Sequence, residues 1–148
     1  MSKKQRLLDL GADNVIATQE EDLPTRVREI TDGKLARVAF DAIGGSYIDT
    51  LAQGVPPEGT IYLYGLLSEE ANSYAVSALF KSISLTGYMM HQITTPERFD
   101  RMKRYVYEYL ANGSFKPHVD RTFPFKQAAD AYRYLERNQQ IGKVVITL

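Results

Sequence analysis

The stretch RVAFDAIGG, Arg37 to Gly45, and its counterpart TIYLYGLLS, Thr60 to Ser68, decide how this chain folds. Each opens with a short, nearly continuous apolar run rich in Val, Ile, Phe and Tyr. Each then stops at glycine, at Gly44-Gly45 in the first and Gly65 in the second. A strand with one wet face alternates apolar and polar residues; a strand buried on both faces of a parallel sheet does not. Glycine lets the backbone turn sharply where such a strand ends. In open α/β sheets ligands bind at those carboxyl ends. The pair therefore predicts a nucleotide-type crevice, here without a glycine-rich phosphate loop ahead of it.

Working outward, residues 3–10 (KKQRLLDL) read as the last turns of a helix, closed by Gly11 as a left-handed cap. Residues 14–18 (NVIAT) predict a short strand. From Glu21 to Thr31, Leu23, Val27 and Ile30 recur at helical spacing, with Pro24 tolerated in the first turn and Gly33 as the stop. A strand over 37–41 leads to a helix over 47–53, and Pro56, Pro57 and Gly59 turn the chain into a strand over 60–64. A short helix is expected within 73–80, and a strand over 82–86 ended by Gly87. The longest helix spans 96–111, with Phe99, Met102, Val106, Tyr109 and Leu110 on one side. An extended piece at 122–125, an amphipathic helix over 126–137 and a strand over 143–148 complete the pattern. Strands alternating with helices predict βαβ units, right-handed crossovers and a parallel sheet.

The 148 residues suffice for one domain, 1–148, with a full core. Hydrophobic residues make up 44% and charged residues 24%, the balance of an ordinary globular protein. Eighteen basic residues offset eighteen acidic ones without a basic stripe, which argues against nucleic acid as a partner. The uncharged stretch from Ala71 to Phe80 is too short to span a bilayer. Lys3, Lys4 and Arg6 lead into an amphipathic segment rather than a signal peptide. With no cysteine, disulfides, thiolate catalysis and Cys-based zinc sites are excluded. Together these features suggest a cytoplasmic protein. Asn112-Gly113-Ser114 matches a glycosylation acceptor but reads as a helix-ending turn.

Gly44, Gly45 and Gly65 lack Cβ, so a ligand can approach their backbone closely; the alternative is that they are ordinary turn glycines. Asp41 ends a buried strand, where its carboxylate needs a partner: a neighbouring amide or a ligand hydroxyl. His91 follows Met89-Met90 and is placed to line a pocket or to face solvent, and His118 reads as a loop residue. Lys143 is either a solvated residue at a strand start or a cation facing a phosphate. The tyrosines fall mostly at core spacing on amphipathic helices. No triad, paired acid and base, or metal constellation is present, so neither a catalytic nor a metal-binding residue is nominated.

Taken in order, LGADNVI (10–16), EITDGK (29–34), RVAFDAIGG, GTIYLYGLLS, LTGYMM (85–90) and DRTFPFKQAADAYRYLERNQQIGKVVITL (120–148) resemble the medium-chain dehydrogenase/reductase superfamily. The likeness leans to its zinc-independent quinone oxidoreductase and enoyl reductase branch. It implies an α/β fold: an incomplete Rossmann-like parallel sheet flanked by helices, lacking the first two strands and the glycine-rich loop. The chain would then begin inside the helix that LLDLGAD finishes, with the catalytic domain absent.

The resemblance also implies a site. Ala42, Ile43 and Gly44, with Gly45, would lie along the cofactor, and Tyr64, Gly65 and Leu66 beside the nicotinamide. Tyr88 and Met90 bracket backbone offered to the carboxamide, and Lys143 approaches the pyrophosphate. The cofactor would be NADP or NAD, with NADP favoured. Lys3 falls near a family lysine that prefers NADP(H), and Thr18 stands where some relatives carry an aromatic residue. The implied parent moves hydride between the nicotinamide and a quinone, enal, or alcohol or aldehyde, and this portion would not be active alone.

Removing two strands exposes a sheet edge. Either residues 14–18 move in beside 37–41 or a second copy covers the gap, and relatives dimerise through the edge matching Ser82–Thr86. The rival reading is a non-catalytic α/β oligomerisation fragment. A methyltransferase-like or flavodoxin-like domain fits the closing helix and strand less well.

Overall fold

The structure, a computed structural model, describes residues 3–71, 73, 75–90 and 94–148. The chain forms two compact units, Met1–Ile93 and Thr94–Leu148. In the first, helix α1 (Lys3–Asp9) ends at Gly11, whose φ of 103° lets its N–H reach the Leu8 carbonyl at 2.9 Å. Helix α2 (Leu23–Ile30) starts where the Asp22 carboxylate accepts the Thr25 N–H at 2.9 Å, and Pro24 sits in the first turn. Strand β1 (Val38–Asp41) follows, then a 3-10 turn (Gly45–Tyr47) running into helix α3 (Ile48–Gln53). Strand β2 (Thr60–Leu63), helix α4 (Val76–Phe80) and strand β3 (Ser84–Gly87) complete the unit.

The three strands form one parallel sheet in the order β1-β2-β3, with Asp41, Leu63 and Gly87 in register. Their carboxyl ends therefore emerge side by side. One sheet face is closed. Ile61, fully buried, lies with Ile48, Ala52, Val55, Ala75 and Ala78 in a cluster against which Ala39, Leu51 and Ile83 pack. On the other face Phe40 and Tyr62 stack at 5.3 Å and Tyr88 meets Tyr62 edge-on at 6.1 Å. Phe40 there is 69% exposed.

The strand expected over 14–18 is not formed. Residues 14–17 have no strand pairing, because Ala17 spends its backbone locally. Its N–H goes to the Glu21 carboxylate at 2.8 Å, and its carbonyl accepts the N–H groups of Glu20 and Glu21. Glu21 in turn pairs with Lys4 at 2.7 Å and Arg26 at 3.1 Å. The idea that this segment moves in beside β1 is corrected accordingly: among the described residues β1 pairs with β2 alone.

In the second unit, helix α5 (Pro96–Ala111) is capped by Thr95 and followed by Gly113 at φ 75°. None of its residues is buried. Tyr105, Tyr109 and Phe115 cluster, Phe115 lying 5.0 Å from Tyr109 between ring centroids. Strands β4 (Val119–Pro124) and β5 (Lys143–Thr147) pair in parallel as a separate two-stranded sheet. A 3-10 turn (Phe125–Gln127) starts helix α6 (Ala128–Glu136), whose Ala131 is buried, as is Phe123 on β4. The Tyr134 hydroxyl donates to Asp120 at 2.6 Å, and the Arg121 guanidinium lies 4.7 Å from the Tyr134 ring centre. Relative to expectation, β4 begins earlier and β3 is displaced toward Gly87. The first turn of each of the helices expected at 47–53 and 126–137 is 3-10.

Candidate functional site

The turns after β1 and β2 are laced into one structure. Tyr64 N–H donates to the Asp41 carbonyl at 2.9 Å, Leu67 N–H to the Ala42 carbonyl at 3.3 Å, and Ser68 N–H to the Ile43 carbonyl at 2.9 Å. The Asp41 carboxylate, buried, accepts the Ile43 N–H at 2.8 Å and the Gly44 N–H at 3.2 Å. Of the two roles open to Asp41, the structure shows the amide cap. That cap fixes the turn from which Ala42, Ile43, Gly44 and Gly45 are presented.

The glycines are required by chain-on-chain proximity. A Cβ at Gly65 would stand 2.6 Å from the Ala42 carbonyl oxygen, inside contact distance. Gly45 has φ 73°, and a Cβ there would meet the Ser68 side chain. Gly44, at φ 67°, is buried with it. The backbone turns are thus pressed against each other, and open surface is left to their neighbours. Ile43, Tyr64, Leu66, Leu67, Tyr88, Met89 and Met90 are all exposed around this carboxyl edge. Tyr88 enters from β3 through its N–H to the Leu63 carbonyl at 2.9 Å. The result is an open ledge of exposed apolar side chains bordered by turn backbone. Leu67 and Met89 belong to it although sequence reasoning did not nominate them. Their signal is simple adjacency to Leu66 and Tyr88.

Helix α3 runs back from the ledge and is braced at both ends. Ser46 bonds Glu70, and Ser73 Oγ donates to the Ser46 carbonyl at 3.4 Å. Asp49 accepts the Ser77 N–H at 2.8 Å and the Ser77 hydroxyl at 3.2 Å, capping α4 from α3. Those bonds, the Ser77 N–H foremost, hold the Asp49 carboxyl below its ordinary range. At the far end the Lys81 ammonium donates to the carbonyls of Ala52, Gln53 and Val55 at 2.9–3.1 Å. Burial, then Arg28, pushes the Lys81 ammonium down from its usual value. Contacts such as Lys81 to Ala52, 29 residues apart, carry no sequence signal. Tyr47, on the 3-10 turn, has its hydroxyl pushed up by burial while bonding Thr18.

Lys143 lies in the second unit and opens β5, its N–H donating to the His118 carbonyl at 2.8 Å. Gly142 before it has φ 103°, and a Cβ would stand 2.3 Å from that carbonyl oxygen. The Gly-Lys pair is therefore fixed by strand entry, and Lys143 itself is exposed. His118 is half-buried in the loop before β4, as expected. His91 lies outside the described residues. Among the described residues no group of three or more His, Cys, Asp or Glu is placed to hold a metal ion. No helix among them is long and apolar enough to cross a membrane.

A family model for zinc-binding dehydrogenases matches residues 10–146. A 2-haloacrylate reductase from a Burkholderia species is 26% identical over 151 residues, covering 97% of this chain and 44% of the relative. A quinone oxidoreductase of Salmonella typhimurium is 28% identical over 158 residues, covering 97% of this chain and 46% of the relative. The chain thus spans less than half the length of these curated relatives. Among solved structures, Escherichia coli quinone oxidoreductase complexed with NADPH superposes with a TM-score of 0.85 at 28% identity, over 98% of this chain and 46% of that one.

Proposed function

The chain belongs to the zinc-binding dehydrogenase family of the medium-chain dehydrogenase/reductase superfamily, and we propose that it is the cofactor-domain portion of an NAD(P)H-dependent oxidoreductase of the quinone oxidoreductase or enoyl reductase type. The observation that carries this reading is the ledge at the carboxyl ends of β1, β2 and β3. Its backbone is set by Asp41, Gly45 and Gly65, and its surface by Ile43, Tyr64, Leu66 and Tyr88. That is where a parallel α/β sheet takes a nucleotide.

In this reading Ala42, Ile43, Gly44 and Gly45 run along the cofactor. Tyr64, Gly65 and Leu66 flank the nicotinamide, Tyr88 and Met90 border its carboxamide, and Lys143 serves the phosphate side. Residues 1–148 then act as one functional domain in the cytoplasm. Bound nicotinamide supplies hydride transfer at its C4. The chain's own part is to orient the ring and to keep water from one face of it with apolar side chains. NADP is the favoured dinucleotide, since the E. coli relative was solved with NADPH. The substrate is a small quinone, enal, or alcohol or aldehyde, as the relatives' names suggest. Zinc does not fit the residues present: there is no cysteine, and no cluster of ligands among the described residues. In the same reading a second copy sits across the Ser82–Thr86 edge, as the family resemblance implies.

Titration with NADPH and NADH, followed by nicotinamide fluorescence, tests the reading. Saturable binding is expected with a Kd of about 0.1–1 mM, weakened about tenfold by Leu66→Asp. Absence of binding at millimolar cofactor would contradict it and favour a non-catalytic α/β oligomerisation fragment.

A further inference from the structure

We infer that Asn112 is a site of spontaneous deamidation, held back by the turn that closes α5 and released when that turn opens. Of Asn14, Asn72, Asn112 and Asn138, only Asn112 precedes glycine. The chemistry needs the next residue's amide nitrogen to attack the asparagine side chain, and a Cβ on that residue would crowd the attack. Gly113 has none, and nothing lies within 4 Å of where one would stand. The Gly113 nitrogen gives up its proton to hydroxide and bonds to Asn112 Cγ. The Cγ–Nδ2 bond breaks, ammonia leaves, and a five-membered imide remains. Water then adds to one of the two imide carbonyls and opens the ring, leaving a carboxylate on an aspartyl or isoaspartyl residue. One water is taken up and one ammonia released, with no oxidation or reduction.

In the closed turn that ring cannot form. Asn112 has φ −83° and ψ 0°. At this ψ the Gly113 nitrogen eclipses the nitrogen of Asn112 and lies a third of a turn away from its Cβ. Ring closure needs the Gly113 nitrogen and that Cβ nearly eclipsed instead. Four N–H groups hold the closed geometry. Asn112 donates to the Glu108 carbonyl at 3.0 Å, Gly113 to Leu110 at 3.2 Å and Phe115 to Tyr109 at 2.9 Å. Ser114 donates to Asn112 Oδ1 at 2.9 Å, so the reactive amide is itself tied down. The Phe115 ring anchors the end, 5.0 Å from the Tyr109 ring centre and 5.9 Å from that of Tyr105. Helix ends of this kind open locally while the rest of a molecule stays folded. Opening here frees the nucleophile from Leu110 and the amide from Ser114 together.

The change runs one way. The new carboxylate stands at the C-terminus of α5, where the helix carbonyls already gather negative charge and the last turn carries no basic residue. An isoaspartyl link also inserts a further carbon into the main chain, which takes the Phe115 N–H out of register with the Tyr109 carbonyl. The modified turn is therefore looser than the one it replaces. Neither step depends on the ledge or on a cofactor.

The test incubates the intact chain in mildly alkaline buffer and, in parallel, in urea. Peptide mapping by mass spectrometry follows replacement of the amide nitrogen by oxygen at each asparagine. Conversion is expected first at Asn112, and about tenfold or more slower in buffer than in urea. Phe115→Ala removes the ring but keeps the N–H; it should speed conversion in buffer about tenfold and leave the rate in urea unchanged. Hydrogen exchange supplies a check that needs no variant. The open fraction at the Gly113 and Phe115 amides should match the ratio of the two conversion rates within about threefold. Equal rates in buffer and urea, or faster conversion at another asparagine, would overturn the inference. So would no conversion in buffer after the time that the exchange ratio sets, or a folded Phe115→Ala chain that converts no faster than its parent. If that variant fails to fold, the exchange comparison decides alone.

Discussion

On one face of the β1-β2-β3 sheet, Ile61 is fully buried beneath α3 and α4; on the other, Phe40 stacks on Tyr62 with two-thirds of its surface in solvent. The strands are the same and their side chains alternate, so composition does not separate the faces. What separates them is whether the local connection supplies a cover. The segments after β1 and β2 each return a helix to the Ile61 face, and the bonds of Asp49 and Lys81 lock those helices together. Within the first unit, no described helix does the same for the face of Phe40. Apolar character therefore says that a residue is to be covered, without saying by what. Helix α5 makes the point again: it is strongly amphipathic, yet none of its residues is buried.

Four substitutions break or sharpen this comparison. Ile61→Ala on the covered face leaves a cavity among Ile48, Ala52 and Val55, and should lower unfolding free energy by about 3 kcal/mol in urea. Lys81→Met keeps the aliphatic stem but removes three bonds to carbonyls, two at the end of α3 and one just past it at Val55, at a cost of about 1–2 kcal/mol by the same measurement. Asp49→Ala removes the cap on α4 and should cost about 1 kcal/mol at neutral pH. On the bare face, Phe40→Ser in dilute protein should change stability by less than about 0.5 kcal/mol. A loss at Phe40 comparable to that at Ile61 would mean that its face is already covered.

Asp49 also gives the contrast a pH signature. Its carboxyl is held below the ordinary range in the folded chain, so its contribution is fully present above the unfolded value of about 3.9. The contribution is lost as pH falls through the depressed folded value. Asp120, lowered chiefly by the Tyr134 hydroxyl, behaves in the same sense in the second unit. Acid unfolding curves below about pH 4 should therefore flatten in Asp49→Ala relative to the parent chain.

The sequence is most legible where a segment's structure depends on itself. Helix α5 falls at Pro96–Ala111 as its spacing, cap and Asn112-Gly113 stop predict. Strands β1 and β2 lie within a residue of their expected bounds. Legibility fails where a segment depends on what lies beside it. NVIAT has strand character, but a strand needs a pairing neighbour, and the backbone of Ala17 finds Glu21 instead. The expected parallel sheet is present in β1, β2 and β3, and β4 and β5 pair as a second parallel ladder. At the candidate site the positions of Gly45 and Gly65 were readable, but the reason for them was not. Open space for a ligand and contact with Ser68 or Ala42 both call for glycine, and only coordinates distinguish the two.

The central claim is that the carboxyl edge of the three-stranded sheet is a nicotinamide-side ledge. Amide chemical shifts of the isotopically labelled chain during an NADPH titration test it most directly. Saturable shifts are expected at Ile43, Gly44, Tyr64, Gly65, Leu66 and Tyr88, with the core amides of Ala52 and Ile61 unmoved. Shifts confined to α5, or none at millimolar NADPH, would contradict it.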